Sequence, residues 1–278
     1  MGNILSINWR VDPVLFSIGE VRIAYYNLLF VGCLFLCAWL FRKISSKEGV
    51  PEEASVGFVL YAFCGIVIGA RLGHCIFYDP GYYFTHPFEM ILPFRMINDE
   101  IVFTGYRGLA SHGGVMGLMI AVLLYARKYK QSAIRTFDYI AIVAPLGACF
   151  IRLGNLMNSE IIGEPTNLPW AFVFERVDSI PRHPAQLYEA VAYFIFFLIM
   201  LYLYKNNKAS KPGFLFGIVL VLIFTFRFFI EFIKENQSDF ESNLFLDMGQ
   251  ILSIPLVLIG LYYAFIYKPR KCSKVLDR

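Results

Sequence analysis

Charge is scarce in this chain. Only 17% of its 278 residues are Asp, Glu, Lys or Arg, against about 25% in an ordinary soluble domain. Short alternating runs of apolar and polar residues, the mark of barrel strands, are also missing. Internal repeats and low-complexity tracts are absent too, which weighs against an inverted-repeat transporter. The six cysteines (Cys33, Cys37, Cys64, Cys75, Cys149 and Cys272) show no CxxC spacing, so neither a disulfide framework nor a metal site is expected. They read as packing thiols, because a buried free Cys behaves as a small hydrophobe. What is abundant is apolar and aromatic surface: 58% of residues are hydrophobic and 17% aromatic, with 28 Phe and 17 Tyr, lying in blocks of about twenty residues. Disordered, collagen-like and disulfide-stapled secreted chains are excluded by the same composition. The chain reads as a polytopic membrane protein.

Seven stretches are long enough, at about 1.5 Å per residue, to cross a hydrocarbon core of about 30 Å. They run over 20–41, 56–78, 107–126, 136–157, 185–204, 213–233 and 246–267. Each must be a helix, because the bilayer interior has no water to satisfy open backbone groups. The expected fold class is therefore all-α, a bundle of about seven transmembrane helices forming one integral-membrane domain over 1–278, with long external segments at 79–106 and 158–184. Cytoplasmic loops carry the excess of Lys and Arg. Arg42, Lys43 and Lys47 follow the first span, Arg127, Lys128, Lys130 and Arg135 the third, Lys205, Lys208 and Lys211 the fifth, and Lys268, Arg270, Lys271, Lys274 and Arg278 the seventh. The opposite loops are acidic or mixed, with Asp79, Glu89, Asp99, Glu100, Glu235, Asp239, Glu241 and Asp247. The N-terminus is thus expected outside and the C-terminus in the cytoplasm. The first span is not a cleavable signal peptide, since its basic cluster follows the apolar run. Tyr82, Tyr83, Phe84, Phe88 and Phe94 make 79–106 an aromatic interfacial arm, and the more polar 158–184 a small external cap.

Ionisable residues in or beside the spans carry the chemistry. A central Arg costs about 2.5–3.5 kcal/mol even on the lenient insertion scale, so Arg71, Arg152 and Arg227 need partners or a route to the lipid phosphates. Arg227 and Glu231 are four residues apart, within ion-pair reach on one helix face. The segment Arg152-Leu-Gly-Asn155-Leu-Met-Asn158-Ser-Glu160 puts a cation, two amides and a carboxylate at an external helix end, a set suited to a phosphodiester head group. In Ser111-His112-Gly113-Gly114, two helix glycines each cost about 1 kcal/mol relative to Ala. They serve either close helix packing, as do Gly65, Gly69 and Gly73, or approach of a head group beside His112, which is itself either a structural histidine or a base. His183-Pro184-Ala-Gln186-Leu-Tyr-Glu189 opens the fifth span, with Pro184 fitting its first turn and Gln186 and Glu189 on one face, either as a polar cap or as part of a site.

Taken together, these motifs resemble the phosphatidylglycerol:prolipoprotein diacylglyceryl transferases of bacteria. The resemblance rests on the seven spans, Tyr25-Tyr26, Gly69-Ala-Arg71-Leu-Gly73, the Ser-His-Gly-Gly stretch, Arg152 to Glu160 with Gly163, the stretch from His183 to Glu189, Arg227 with Glu231, and Met248-Gly249-Gln250. It implies transfer of the diacylglyceryl group of phosphatidylglycerol to the lipobox cysteine thiol of a preprolipoprotein, the first step of lipoprotein maturation, in the bacterial inner membrane. His112, Tyr26, Arg227 and Glu231 would be catalytic. Arg152, Asn155, Asn158, Glu160, Gly163, Gly113, Gly114, His183, Gln186 and Glu189 would bind substrate. No cofactor, metal or nucleic acid is expected. Two departures stand out: Val115 where Leu is common, and Lys234 where many members have Arg. Lys cannot make a bidentate phosphate contact, so Lys234 is not expected on the head group.

The chemistry of the residues agrees. Sulfur attack on the glyceryl carbon needs a thiolate, and a free thiol of pKa about 8.5 is only a few per cent ionised at neutral pH. His112 is the candidate base, Arg152 and Arg227 hold the phosphate, Asn155 donates to it, and Glu231 orients Arg227. A channel or transporter with an anion pathway would spread its charges along the full depth of the bundle, whereas here they gather toward the external half. An intramembrane protease would need a paired Asp or Gly-x-Ser motif that the chain lacks.

Overall fold

The structure, a computed structural model, describes residues 6–19, 21–92, 94–97, 100–103, 108, 110–206, 211–235 and 246–268. The expected segment at 79–106 lies partly outside these residues. So do Asp99, Lys208, Asp239, Glu241, Cys272 and the cations of the tail from Arg270 onward.

The apolar blocks form helices, as the composition requires. In chain order these are α1 (Tyr25–Lys47), α2 (Glu52–Phe77), the short α3 (Pro80–Thr85) and α4 (Pro87–Ile91), α5 (Ser111–Lys128), α6 (Ala133–Asn158), α7 (Ala185–Lys205), α8 (Phe214–Ile230) and α9 (Met248–Leu261). A 3-10 turn, Glu231–Ile233, continues α8, and a π turn, Tyr262–Ile266, continues α9. Among the described residues six helices are long and apolar enough to cross a membrane: α1, α2, α6, α7, α8 with its 3-10 turn, and α9 with its π turn. The expected stretch at 107–126 is helical as α5, but its 18 residues carry Arg127 and Lys128 in the last turn and His112 in the first, which keeps it out of the six. Short strands, which hydropathy does not reveal, make two hairpins, β2 (Val14–Ile18) with β3 (Val21–Ala24) and β4 (Phe94–Ile97) with β5 (Glu100–Phe103). They also make a three-stranded sheet in the order β1 (Ile7–Trp9), β6 (Phe172–Phe174), β7 (Pro181–Arg182).

The chain divides into two compact units, residues 1–41 with 137–278, and residues 42–136. In the second unit α2 and α5 pack along facing glycines. A Cβ on Gly73 would lie 2.7 Å from Gly113 Cα, and one on Gly69 would lie 2.8 Å from Gly117 Cα, so the backbones touch directly. Gly113 is therefore consumed by packing, whereas a Cβ on Gly114 would meet nothing closer than 3.6 Å. Arg71 does not snorkel. It is buried, donates to the carbonyls of Glu89 (2.6 Å) and Met90 (3.1 Å), and lies 4.9 Å from the ring centroid of Tyr83, fastening the segment after α2 to that helix.

In the first unit the sheet sits over the end of α6. β1 runs parallel to β6, with Ile7 opposite Phe172 and Trp9 opposite Phe174, and β7 runs antiparallel to β6. Trp9 Nε1 donates to the Leu156 carbonyl at 3.0 Å, one of the carbonyls that the helix end leaves without an intrahelical partner. Leu156, Ile162, Phe172 and Phe174 form the core beneath. On α6, the buried Asp138 accepts from the backbone N–H of Gly213 (2.7 Å) and Phe216 (2.9 Å), placing a carboxylate at the positive end of α8. The described cysteines are free; Cys33, Cys75 and Cys149 are buried, Cys37 is half-buried and Cys64 is exposed.

Candidate active site

In the first unit, the end of α6, the chain turn after it and the start of α7 bring one set of polar groups together. Arg152 lies on the inward face of α6, with Asn155 one turn on. Arg152 Nε is 3.0 Å from Glu189 Oε2, and the carboxylate is fully buried while the guanidinium keeps 13% exposure. The carboxylate oxygen accepts no aligned hydrogen bond, so charge attraction rather than a directed bond holds this pair. Arg152 Nη1 donates to Asn155 Oδ1 at 3.4 Å, Asn155 Nδ2 to Glu160 Oε2 at 3.2 Å, and Asn158 Nδ2 to Glu160 Oε1 at 3.2 Å. Gln186, fully buried, donates to the Glu160 carbonyl at 2.6 Å. The three-residue spacing of Gln186 and Glu189 thus points both into the bundle, one at the Glu160 backbone and the other at Arg152. Tyr193, one turn further along α7, donates to Glu189 Oε1 at 3.4 Å.

Glu160 is held under backbone strain. Ser159 and Ile161 on either side of it have φ of 57° and 58°. The left-handed region is unfavourable for any residue but Gly and most of all for a β-branched one, at about 1–3 kcal/mol each. Such strain persists only where surrounding contacts fix it, and here the Gln186 bond and the two Asn amides do so.

Tyr26 of α1 belongs to the same group. A Cβ on Gly154 would lie 2.6 Å from Tyr26 Cδ2, so the glycine makes room for the ring, and the phenol stands in the field of Glu160 and Arg152. His183 and Gly163 build the wall behind. Gly163 donates its N–H to the His183 carbonyl at 3.0 Å, and its missing side chain leaves space for His183 Cβ (2.6 Å) and the Ile233 carbonyl (2.7 Å). The His183 ring faces the Tyr188 hydroxyl at 3.4 Å, and that hydroxyl accepts from Trp170 Nε1 at 2.9 Å. Burial pushes the His183 pKa below its ordinary value of 6.5, so the ring is neutral at pH 7.

Glu231 does not pair with Arg227, contrary to what their spacing predicts. Its partner is the buried Lys234, with Nζ 3.2 Å from Glu231 Oε2. Gly249 in the first turn of α9 makes room for that carboxylate, since a Cβ there would lie 2.7 Å from Glu231 Cδ, and Asp247 with Gln250 caps the same turn in a capping box. His112 belongs to the other unit; it is the second residue of α5 and exposed, with Gly113 and Gly114 buried beside it.

Sequence reasoning did not single out Arg182, Tyr193 or Asp138. Arg182 is buried in the cap, 2.6 Å from Asp178 and 3.2 Å from Glu235, and donates to the Gly163 carbonyl at 3.4 Å. Its position immediately before His183-Pro184 was the one available signal.

The family described as prolipoprotein diacylglyceryl transferase matches residues 13–266, which takes in both units and every residue of the cluster. The chain belongs to the prolipoprotein diacylglyceryl transferase family. A phosphatidylglycerol–prolipoprotein diacylglyceryl transferase of Bacteroides fragilis is 54% identical over 274 residues, covering 98% of this chain and 99% of that protein. Proteins of the same name from Chloroherpeton thalassium and Tolumonas auensis are 45% and 41% identical, covering 93% and 91% of this chain and 93% and 94% of their own. As a prolipoprotein diacylglyceryl transferase family member, the chain is a multi-pass membrane transferase.

Proposed function

We propose that this protein transfers the diacylglyceryl group of phosphatidylglycerol to the thiol of a lipobox cysteine in a preprolipoprotein. The cysteine sulfur forms a bond to the glyceryl carbon, the bond from that carbon to the phosphate oxygen breaks, and glycerol 1-phosphate leaves with the electron pair. The reaction needs a proton acceptor for the thiol and positive charge at the leaving phosphate. The observation that carries this reading is the Arg152 cluster, a guanidinium held between a fully buried carboxylate and an amide at a helix end. A fixed donor of this kind is worth about 3–4 kcal/mol to a transition state that gathers negative charge. Arg152 and Arg227 hold the phosphate; Asn155, Asn158, Glu160, Gln186 and Glu189 shape and orient the pocket around it, with Tyr26 at its edge. His112 is assigned as the base on its motif and its exposure. The lipid substrate is drawn from the membrane itself.

The seven-span arrangement with the N-terminus outside and the C-terminus in the cytoplasm, as one domain in the inner membrane, belongs to the same proposal. Its support is the Lys and Arg asymmetry between loops, together with the length of α5. The purified protein, reconstituted with phosphatidylglycerol labelled in its acyl chains and a lipobox peptide, is expected to give labelled peptide and free glycerol phosphate. Label that stays in the lipid under saturating peptide would reject the transfer.

A further inference from the structure

The 3-10 turn after α8 decides which cation Glu231 serves. Arg227 and Glu231 share a face, because α-helical bonding runs as far as Glu231, whose N–H donates to the Arg227 carbonyl. From Glu231 the chain tightens into the 3-10 turn Glu231–Ile233, in which residues three apart eclipse. Glu231 is thereby carried over Lys234, whose side chain retains only 2% exposure. The Lys234 backbone is itself fixed. It bridges Gly163, while Glu164 N–H donates to the Ile233 carbonyl at 2.9 Å and Glu235 N–H to the Ile162 carbonyl at 3.2 Å. On the opposite side the Glu231 carboxylate is seated against Gly249. One turn back, Arg227 is half-buried and forms no ion pair with any described carboxylate. A cation left so within an apolar helix of the bundle is costly unless an anion joins it.

We propose that Lys234 is a positioning residue for Arg227: by engaging Glu231 it keeps that carboxylate off Arg227, which stays available to the lipid phosphate. The proposal rests on the phosphate-binding role given to Arg227 above. It assigns Lys234 a place behind the site, consistent with its burial, rather than on the head group.

The test measures transfer in mixed micelles at fixed peptide while the mole fraction of phosphatidylglycerol is varied, for wild type, Lys234→Arg, Lys234→Met, Glu231→Gln and the double variant Lys234→Met/Glu231→Gln. Lys234→Arg is expected to keep the wild-type KM, because a guanidinium also pairs with Glu231. Lys234→Met frees Glu231 to return to Arg227 and is expected to raise KM about tenfold, the loss of one charge-assisted phosphate contact, with a smaller change in kcat. Removing the competing carboxylate in the double variant is expected to restore the KM of Glu231→Gln alone, a rescue that a purely structural role for Lys234 would not give. An unchanged KM in Lys234→Met, or a double variant with a KM about tenfold above Glu231→Gln, would overturn the role. If Lys234→Met does not fold, the double variant decides, since it leaves no unpaired carboxylate. A wild-type protein without transfer would overturn the function itself, whereas an active wild type with either contrary KM would overturn Lys234 alone.

Discussion

Arg152 uses two separate nitrogens, Nε toward Glu189 and Nη1 toward Asn155. Lys carries the same charge on one nitrogen and cannot satisfy both while also facing a phosphate. Arg152→Lys is therefore expected to leave less than about a hundredth of wild-type transfer, a loss of about 3 kcal/mol, while the protein stays folded and membrane-inserted. Activity above half of wild type would remove Arg152 from phosphate binding. For His112, exchange to Gln keeps hydrogen bonding but abolishes proton acceptance. His112→Gln is expected to be inactive at pH 7 and to recover part of its rate as the pH approaches about 8.5, where solution supplies thiolate. Inactivity at every pH would mean that His112 holds structure or head group instead.

Two neighbouring glycines at the start of α5 have opposite tolerances because α2 approaches one much more closely than the other. A Cβ on Gly113 would collide with the backbone of α2 at Gly69 and at Gly73 Cα (2.9 Å), and backbone cannot yield as a side-chain end can; one on Gly114 meets Ala70 Cβ at an ordinary 3.6 Å. Gly113→Ala is expected to destabilise the protein by about 1–3 kcal/mol through overpacking, and Gly114→Ala to be neutral or mildly stabilising. Thermal unfolding of both in detergent checks this, and equal melting temperatures would contradict the seam. In the cap, the Arg182 guanidinium beside Asp178 holds its carboxyl below the usual carboxylate range, with the Ile180 N–H adding to the effect. A lowered folded pKa means that this contribution is present above the unfolded value and is lost as the pH falls through the folded one. Cap proteolysis is accordingly expected to rise only in strong acid, below about pH 4, and Asp178→Asn should remove that component of the acid response.

Across the whole molecule, the distribution of cations sets the expected topology. With the native cysteines replaced, Gln131→Cys should resist an impermeant thiol reagent in whole cells, whereas Asn167→Cys in the exposed cap segment should react. Labelling in the reverse pattern would invert the orientation. The sequence by itself determined the membrane class, the helical fold and the family. Apolar blocks of twenty residues have one solution in a bilayer, and local spacing suffices to find it. It also placed Gln186 and Glu189 on one face and Arg152, Asn155 and Glu160 in one segment, because those relations are set within a helix turn or a few residues of it. Only the tertiary structure decided which carboxylate serves which cation. Glu189 reaches Arg152 across two helices, Asp138 caps α8 from 75 residues away, and Lys234 rather than Arg227 takes Glu231. The spacing rule put Glu231 on the Arg227 face correctly, yet the carboxylate turns to Lys234, which the 3-10 turn and the bridge to Gly163 bring within reach, and no local pattern encodes that contact.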